Sequence, residues 1–369
     1  MKHSSFSKIE IRRCKTCLMP QHIEHSDFNT EEICAWCRAG YPTYQPLGID
    51  KLLSRLAERK TEGDRAQCLV GLSGGKDSSY STLYLSRDLG VKVEAFTYLH
   101  DGSTSLGQEN AAELCRMLGI THHKIRLKGA SHRDTALAFF RSWVRTEDPV
   151  AAAMICVACK HLHLMGPQLA RRRGIPLVVW SMCPLETPPF IPTSDDSAAR
   201  EQQQSFSTLL GRLSGSCGSI SFLSAFLHHL PICVLGCLSY RPECKYVHLR
   251  YQQVDHLQFF DYVPWNPRVQ QEALTATGIW CSPRTDWHSD CIFNVLKEYM
   301  FQKMYLTSYT DAFLSSCIRH GLVTREQGIA SLAESKRYFR DVLPRVLDEL
   351  GLVDCQTTID LSCFDVSIS

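Results

Sequence analysis

The sequence predicts an α/β fold: a parallel sheet flanked by helices, preceded by a zinc-ribbon module and followed by a helical region. Three observations carry this. Short apolar runs alternate with helix-periodic stretches between residues 67 and 181, the pattern of strands crossing over through helices. A glycine-rich turn, Gly71-Leu-Ser-Gly-Gly-Lys-Asp-Ser78, joins the first such run to the first such helix. Two Cys-x-x-Cys pairs, Cys14/Cys17 and Cys34/Cys37, stand near the N-terminus with sixteen residues between them.

Each element follows from its local pattern. The paired knuckles offer four thiolates to one tetrahedral site, most simply structural zinc. A closed four-sulfur site serves folding or docking rather than catalysis. Residues 48–60, rich in Lys, Arg and Leu, form a helical linker. Gln67 to Leu72 is a buried strand, and a helix runs from Ser79 to about Leu89. Val91 to Leu99 is the second strand and ends at His100-Asp101-Gly102. Glu109 to Leu118 is helical, His122 to Leu127 a third strand, and Ala136 to Val144 a helix. Gln168 to Arg173 closes a further helix, and Pro176 to Ser181 is the fourth strand. Ligands in such sheets sit at the carboxyl ends of strands, where the glycine-rich turn, His100 and Asp101 fall.

Pro184 to Gln204 is a long polar loop that reads equally as an active-site lid and as a surface insertion. Ser219 to Leu238 is apolar but carries His228, His229 and Pro231, short of an uninterrupted membrane span. It reads as a helix, buried or at a partner interface. Helices follow over Pro267–Thr277, Ile292–Tyr305, Asp311–His320, Thr324–Leu332 and Tyr338–Leu350. The expected organisation is a zinc-ribbon module over 1–45, a nucleotide-binding domain over 46–200, an irregular or helical insertion over 201–260, and a helical region over 261–369 that completes the active site.

At 369 residues and 44% hydrophobic, the chain is long enough to bury a real core. A net charge of +2 gives no global electrostatic reason to bind nucleic acid. The polar N-terminus shows no signal peptide. With eighteen cysteines, several in Cys-x-x-Cys pairs, a reducing cytoplasm is the expected location.

The glycine-rich turn has the geometry of a phosphate cradle: backbone glycines and N–H groups at a helix start. Ser73, Gly74 and Gly75 would wrap phosphates, Lys76 would add a charge and Ser78 a hydroxyl donor. Asp77 would repel an anion unless a divalent cation, Mg²⁺, bridges it to the phosphates. His100 and Asp101 stand at the next strand end as further nucleotide-binding candidates. The turn is not a Walker A loop, because Asp77 follows the lysine. A third pair, Cys156-x-x-Cys159, is expected to open a helix, where the dipole favours thiolate. It suits a metal, an iron–sulfur cluster or a persulfide; the alternative is two small buried residues. Cys281 and Cys291 flank a polar stretch, and Cys291 is the preferred third cysteine because it opens the next helix. Arg171-Arg-Arg173 is a local basic patch, read as a tRNA contact or as a solvated helix end.

The run Ser73-Gly-Gly-Lys-Asp-Ser78 resembles the PP-loop of the ATP pyrophosphatase superfamily. That resemblance implies a HUP-like nucleotide domain, cleavage of ATP between the α and β phosphates, and activation of a carbonyl group by AMP. Cys14-x-x-Cys-Leu-Met-Pro20, Ile33-Cys-Ala-Trp-Cys37, the PP-loop, Ile318-Arg-His-Gly321 and Thr324-Arg-Glu326 together resemble the N-acetyl sugar amidotransferase family of surface-polysaccharide biosynthesis. This resemblance spans most of the chain and implies ammonia from a separate glutaminase subunit. Cys156, Cys159 and a distant Cys291 or Cys281 are similar instead to the cluster ligands of PP-loop enzymes that thiolate tRNA. That likeness implies a [4Fe–4S] cluster and a sulfur-donor protein. The reading favoured is a sulfurtransferase in which Lys76, Asp77, Cys156, Cys159 and Cys291 are catalytic. The alternatives are the amidotransferase and an ATP-binding adaptor without catalysis. A small sugar or metabolite is expected as substrate ahead of tRNA, with a homodimer as an open expectation.

Overall fold

The computed structural model describes residues 10–23, 26–40, 44–59, 61, 63, 65–128, 131–186, 219–281, 290–365 and 367–368. In chain order the elements are β1 (Glu10–Ile11), α1 (Ala35–Arg38), α2 (Ile49–Ala57), β2 (Cys68–Gly71), α3 (Lys76–Leu83), β3 (Val93–Tyr98), α4 (Ser105–Leu118), β4 (His122–Ile125), α5 (Ser131–Thr146), α6 (Pro149–Met154), α7 (Leu162–Arg173) and β5 (Leu177–Trp180). There follow α8 (Ile220–His228), α9 (Leu230–Leu238), α10 (Lys245–Arg250), β6 (Asp255–Gln258), α11 (Pro267–Thr275), α12 (Phe293–Tyr305), α13 (Tyr309–Arg319), α14 (Arg325–Glu349), α15 (Val353–Gln356) and β7 (Ser367–Ile368).

Five strands pair in parallel in the order β4-β3-β2-β5-β6. The α/β class and the four expected strands are therefore present. β5, Leu-Val-Val-Trp, is buried at every position, as a strand covered on both faces must be. The core on one face gathers Leu69, Phe96, Ala170, Val178, Trp180, Val247 and Tyr251. Chain order runs outward from β2 through β3 to β4, then returns to β5 on the other side of β2. That reversal makes the carboxyl ends of β2 and β5 the switch point, where open α/β sheets leave a crevice.

The fifth strand, β6, was not anticipated. Its four residues, Asp-His-Leu-Gln, are mostly polar, and Asp255 is held by Arg55 at 3.1 Å and by Arg59. An edge strand with one buried residue carries no apolar run to read.

The chain forms two compact units, each assembled from separated segments. One draws on residues 45–184 and 195–293 and contains the sheet. The other draws on 1–44, 185–194 and 294–369. The 201–260 segment supplies β6 to the sheet, and the N-terminal cysteines share a core with Phe301 and Ala312.

Other expectations shift locally. The two helices expected over 324–350 are one, α14, of 25 residues, because Ala333-Glu-Ser-Lys-Arg337 contains no breaker. Ser219–Leu238 is two helices bent by 84°, broken at His229 just before Pro231. Phe222, Ala225, Cys233 and Cys237 are buried there, while Ile220, Leu223, Leu227 and Leu230 are exposed. The stretch Pro149–Arg173 is long and apolar enough to cross a membrane by length and composition, and half of it is buried within the protein. Of the expected lid only Pro184–Glu186 is described; residues 187–204 lie outside the described residues.

Candidate functional site

The chain leaves β2 through Leu72, whose N–H donates to the Phe96 carbonyl at 2.8 Å, and turns at Ser73–Gly75 into α3. Gly74 has φ of +85°, and a Cβ there would lie 1.8 Å from the Gly107 carbonyl oxygen of α4. Only glycine fits, for both reasons. The Gly74 carbonyl accepts from Trp280 Nε1 at 3.2 Å and Asn110 Nδ2 at 3.4 Å. Asn110 also pins the Cys281 backbone, donating to its carbonyl at 2.7 Å and accepting from its N–H at 3.0 Å. The Ser73 N–H donates to Ser78 Oγ at 3.1 Å, and the two hydroxyls stand 3.0 Å apart. No side chain caps the start of α3, so its first N–H groups stand as anion donors.

Lys76 and Asp77 face Trp265. The Lys76 ammonium lies 4.7 Å from the indole centroid and 3.7 Å from Asp77 Oδ1. Trp265 Nε1 donates to that same Oδ1 at 3.0 Å. Burial pushes the Asp77 carboxyl above its usual range, and the charge of Asp290 adds to the push, against Lys76 and Trp265. A carboxylate so placed gains from a cation, which fits the expected Mg²⁺ role.

Asp290 is the residue that sequence reading missed. A Cβ on Gly75 would lie 3.2 Å from Asp290 Oδ2, and one on Gly107 would lie 3.2 Å from Asp290 Cβ. Asp290 is fixed there by a two-stranded strip. Thr104 N–H donates to its carbonyl at 3.0 Å, Ile292 N–H donates to the Gly102 carbonyl at 2.8 Å, and Ser103 bridges to Cys291. The pairing is long-range and lacks a local signature, so the only signal was proximity to Cys291.

The same strip carries Cys291 toward Cys156 and Cys159. Burial raises the Cys291 thiol well above its usual value, and Asp290, Cys156 and Cys159 raise it further. All three cysteines are half-buried rather than core residues. Cys281 is exposed and is held through its backbone by Asn110 instead. The local setting of the pair differs from expectation. Cys156 lies in a turn after α6 and Cys159 in a 3-10 turn, Ala158–His161, leading into α7. Cys159 N–H already donates to the Cys156 carbonyl at 3.1 Å, so no open helix start faces these thiols. The turn is braced by α9: a Cβ on Gly236 would lie 2.3 Å from the Val157 carbonyl oxygen, and His161 Nε2 lies 3.0 Å from the Ile232 carbonyl. Among the described residues these three sulfurs do not form a single-ion site with every pair within 4.8 Å.

His100 and Asp101 line a cavity of about 120 Å³ with Leu99, Gln108, Arg126, Leu127 and His132. It opens at the carboxyl ends of β3 and β4. The rings of His100 and His132 stack at 4.2 Å, and Phe293 lies parallel to both. Burial lowers His100 to about 4, against Asp101, and His132 to about 3. Both imidazoles are neutral at neutral pH and form a flat wall. Arg171–Arg173 end α7; Arg173 is paired with Glu94 at 2.8 Å and Arg171 lies over Tyr251, so two of the three have structural partners.

In the other unit, Cys14, Cys17, Cys34 and Cys37 place their sulfurs within 4.8 Å of one another. Cys14 to Cys37 is 3.8 Å and Cys17 to Cys34 is 3.7 Å. A tetrahedron of Zn–S bonds of about 2.3 Å has edges of about 3.8 Å, so the four sulfurs fit zinc. The thiols divide against one another: hydrogen bonding with Cys17, Cys34 and Cys37 lowers Cys14, and hydrogen bonding with Cys14, Cys17 and Cys34 raises Cys37. A dication would accept all four as thiolates.

No protein-family model matches the chain, and no curated protein matches it. Among solved structures, the chain is similar to an NMN synthetase from Francisella tularensis, with a TM-score of 0.27 and 22% identity over 37% of this chain. The chain spans about half of that synthetase, 54% of its length. It is also similar to the U34-tRNA thiolase NcsA from Methanococcus maripaludis with its [4Fe-4S] cluster, with a TM-score of 0.32 and 12% identity over 85% of this chain and 88% of that one. Likenesses at these scores carry no argument about activity. What the chain's own strand pairing and packing establish is a parallel α/β sheet with a glycine-rich turn at the end of its middle strand, and a four-cysteine knuckle in the second unit.

Proposed function

We propose that this chain is an ATP-dependent PP-loop enzyme that adenylates a substrate carbonyl oxygen and replaces it with sulfur. The observation that supports this most is the strip Asp290–Ile292, which sets Asp290 over the glycine-rich turn and Cys291 within electrostatic reach of Cys156 and Cys159. A phosphate loop and a three-thiol centre thereby share one structural support.

Ser73, Gly74, Gly75 and Ser78 hold the β and γ phosphates, with Lys76 neutralising charge on the departing pyrophosphate. Asp77 would hold Mg²⁺, which would neutralise phosphate charge. The cavity beside His100 and Asp101 takes the adenine. The carbonyl oxygen attacks the α-phosphorus and pyrophosphate leaves; AMP later departs with that oxygen as sulfur takes its place. Cys156, Cys159 and Cys291 would hold a [4Fe–4S] cluster, which would supply an iron site for the incoming sulfur. The expected substrate is a small sugar or metabolite ahead of tRNA, the partner a sulfur-donor protein, and the location a reducing cytoplasm.

The test is anaerobic purification followed by pyrophosphate-release and product assays. Asp77→Asn should abolish pyrophosphate release with the fold intact. Cys291→Ser should remove visible charge-transfer absorbance and product but keep ATP binding. A colourless protein whose Cys291→Ser variant turns over normally with ammonia would replace sulfur with nitrogen and bring in a glutaminase subunit.

A further inference from the structure

The C-terminal motif Ile318-Arg-His-Gly321 and Thr324-Arg-Glu326 meets the cysteine knuckle. Arg319, the last residue of α13, donates from Nη1 to Cys17 Sγ at 3.5 Å. Arg325, the first residue of α14, places Nε 3.4 Å from the carbonyls of both Cys14 and Cys17. The chain turns between them through Gly321, with φ of +68°.

Two further contacts draw the same helix pair against the knuckle. Arg13, next to Cys14, forms a fully buried ion pair with Asp311 of α13 at 2.7 Å and also donates to the Leu18 carbonyl at 2.8 Å. Gly328 of α14 sits where a Cβ would lie 2.7 Å from Ile318 Cδ1 and 3.1 Å from Leu18 Cδ1. Glycine lets α14 close on the Cys14–Cys17 loop.

A divalent ion on four thiolates leaves net negative charge on the sulfurs. A guanidinium on one sulfur, and another on the carbonyls beside two of them, oppose that charge and fix the loop that presents them. We propose that Arg319 and Arg325 are the outer shell of the four-cysteine centre, so that the metal is retained by the α13–α14 turn as well as by its ligands. They are positioning residues: neither touches the ion.

The experiment compares full-length wild type with Arg319→Met, Arg319→Lys, Arg325→Met and the exposed Arg337→Met on the same helix as Arg325. Zinc content and zinc release to a competing chelator are followed with a zinc indicator, and ATP binding is measured in parallel. Arg319→Met and Arg325→Met should each weaken zinc retention about 10- to 100-fold, the range for outer-shell losses. Arg319→Lys should recover part of the loss, and ATP binding should be unchanged. Unaltered zinc release in both methionine variants would overturn the proposal, as would an equal loss in Arg337→Met. Wild type without zinc would overturn both this and the reading of the knuckle as a metal centre; zinc held equally tightly by all variants would overturn this proposal alone.

Discussion

Glu298, in α12, offers a sharp test of the electrostatics of the second unit. It is fully buried, and burial raises its carboxyl from 4.5 to about 7. The groups that face it are Ser308 and the Thr310 backbone, Lys297, Asp311 and Lys336, with Arg13 beyond Asp311. Hydrogen bonding from Ser308 and Thr310 and the charge of Lys297 lower the carboxyl, but neither oxygen gains a donor at full hydrogen-bond geometry. The folded protein therefore binds a proton more tightly here than the unfolded chain does. The resulting stability is fully present below about pH 4.5 and is lost as pH rises through about 7. A rise of about 2.5 units corresponds to about 3 kcal/mol, an upper figure because water entry and relaxation reduce it. Glu298→Gln keeps the shape and removes the titration. Denaturant unfolding of wild type and variant should be compared at intervals from pH 4.5 to pH 8, with the signal taken from the second unit. The variant should gain on the wild type by up to about 3 kcal/mol across that range and then run parallel above pH 8. Parallel profiles throughout, or a variant that loses ground as pH rises, would refute the reasoning.

Other outcomes follow from close packing and from the site. Gly74→Ala forces a methyl against the Gly107 carbonyl and a positive φ on alanine; it should cost about 2–5 kcal/mol and abolish ATP binding by equilibrium dialysis. Gly236→Ala should push α9 off the Cys156–Cys159 turn, costing about 1–3 kcal/mol, and speed alkylation of those thiols while ATP binding stays at the parental level. Trp265→Phe removes a donor to the Asp77 carboxylate; loss of about 1.5–3 kcal/mol at a charged acceptor predicts a 10- to 100-fold drop in pyrophosphate release.

Much of this chain is written locally. The glycine-rich turn announces itself, because a backbone conformation open only to glycine and a helix start must be encoded within a few adjacent residues. β2, β3 and β5 are likewise visible as mostly apolar runs, since a strand covered on both faces must bury nearly every side chain. The four knuckle cysteines are equally plain, as two tight turns fix their spacing. β6 was illegible: an edge strand needs one buried leucine, and its partner β5 lies far away in sequence. The unbroken length of α14 was misjudged because its buried face passes through Leu332, Ser335, Lys336 and Phe339, so two polar residues interrupt the apolar pattern while the helix continues.

What the sequence alone determined is the class of fold and the residue types that chemistry requires, because both depend on short-range pattern. Tertiary structure decided which of them meet. It set Asp290 over the glycine-rich turn, put Cys291 within electrostatic reach of Cys156 and Cys159, and brought Arg319 to Cys17. These pairings join residues about 130 to 300 positions apart, and they arise from backbone pairing and helix packing that leave no periodic trace in either partner. A side chain's chemistry is local, but the neighbour that gives it a function is a property of the folded chain.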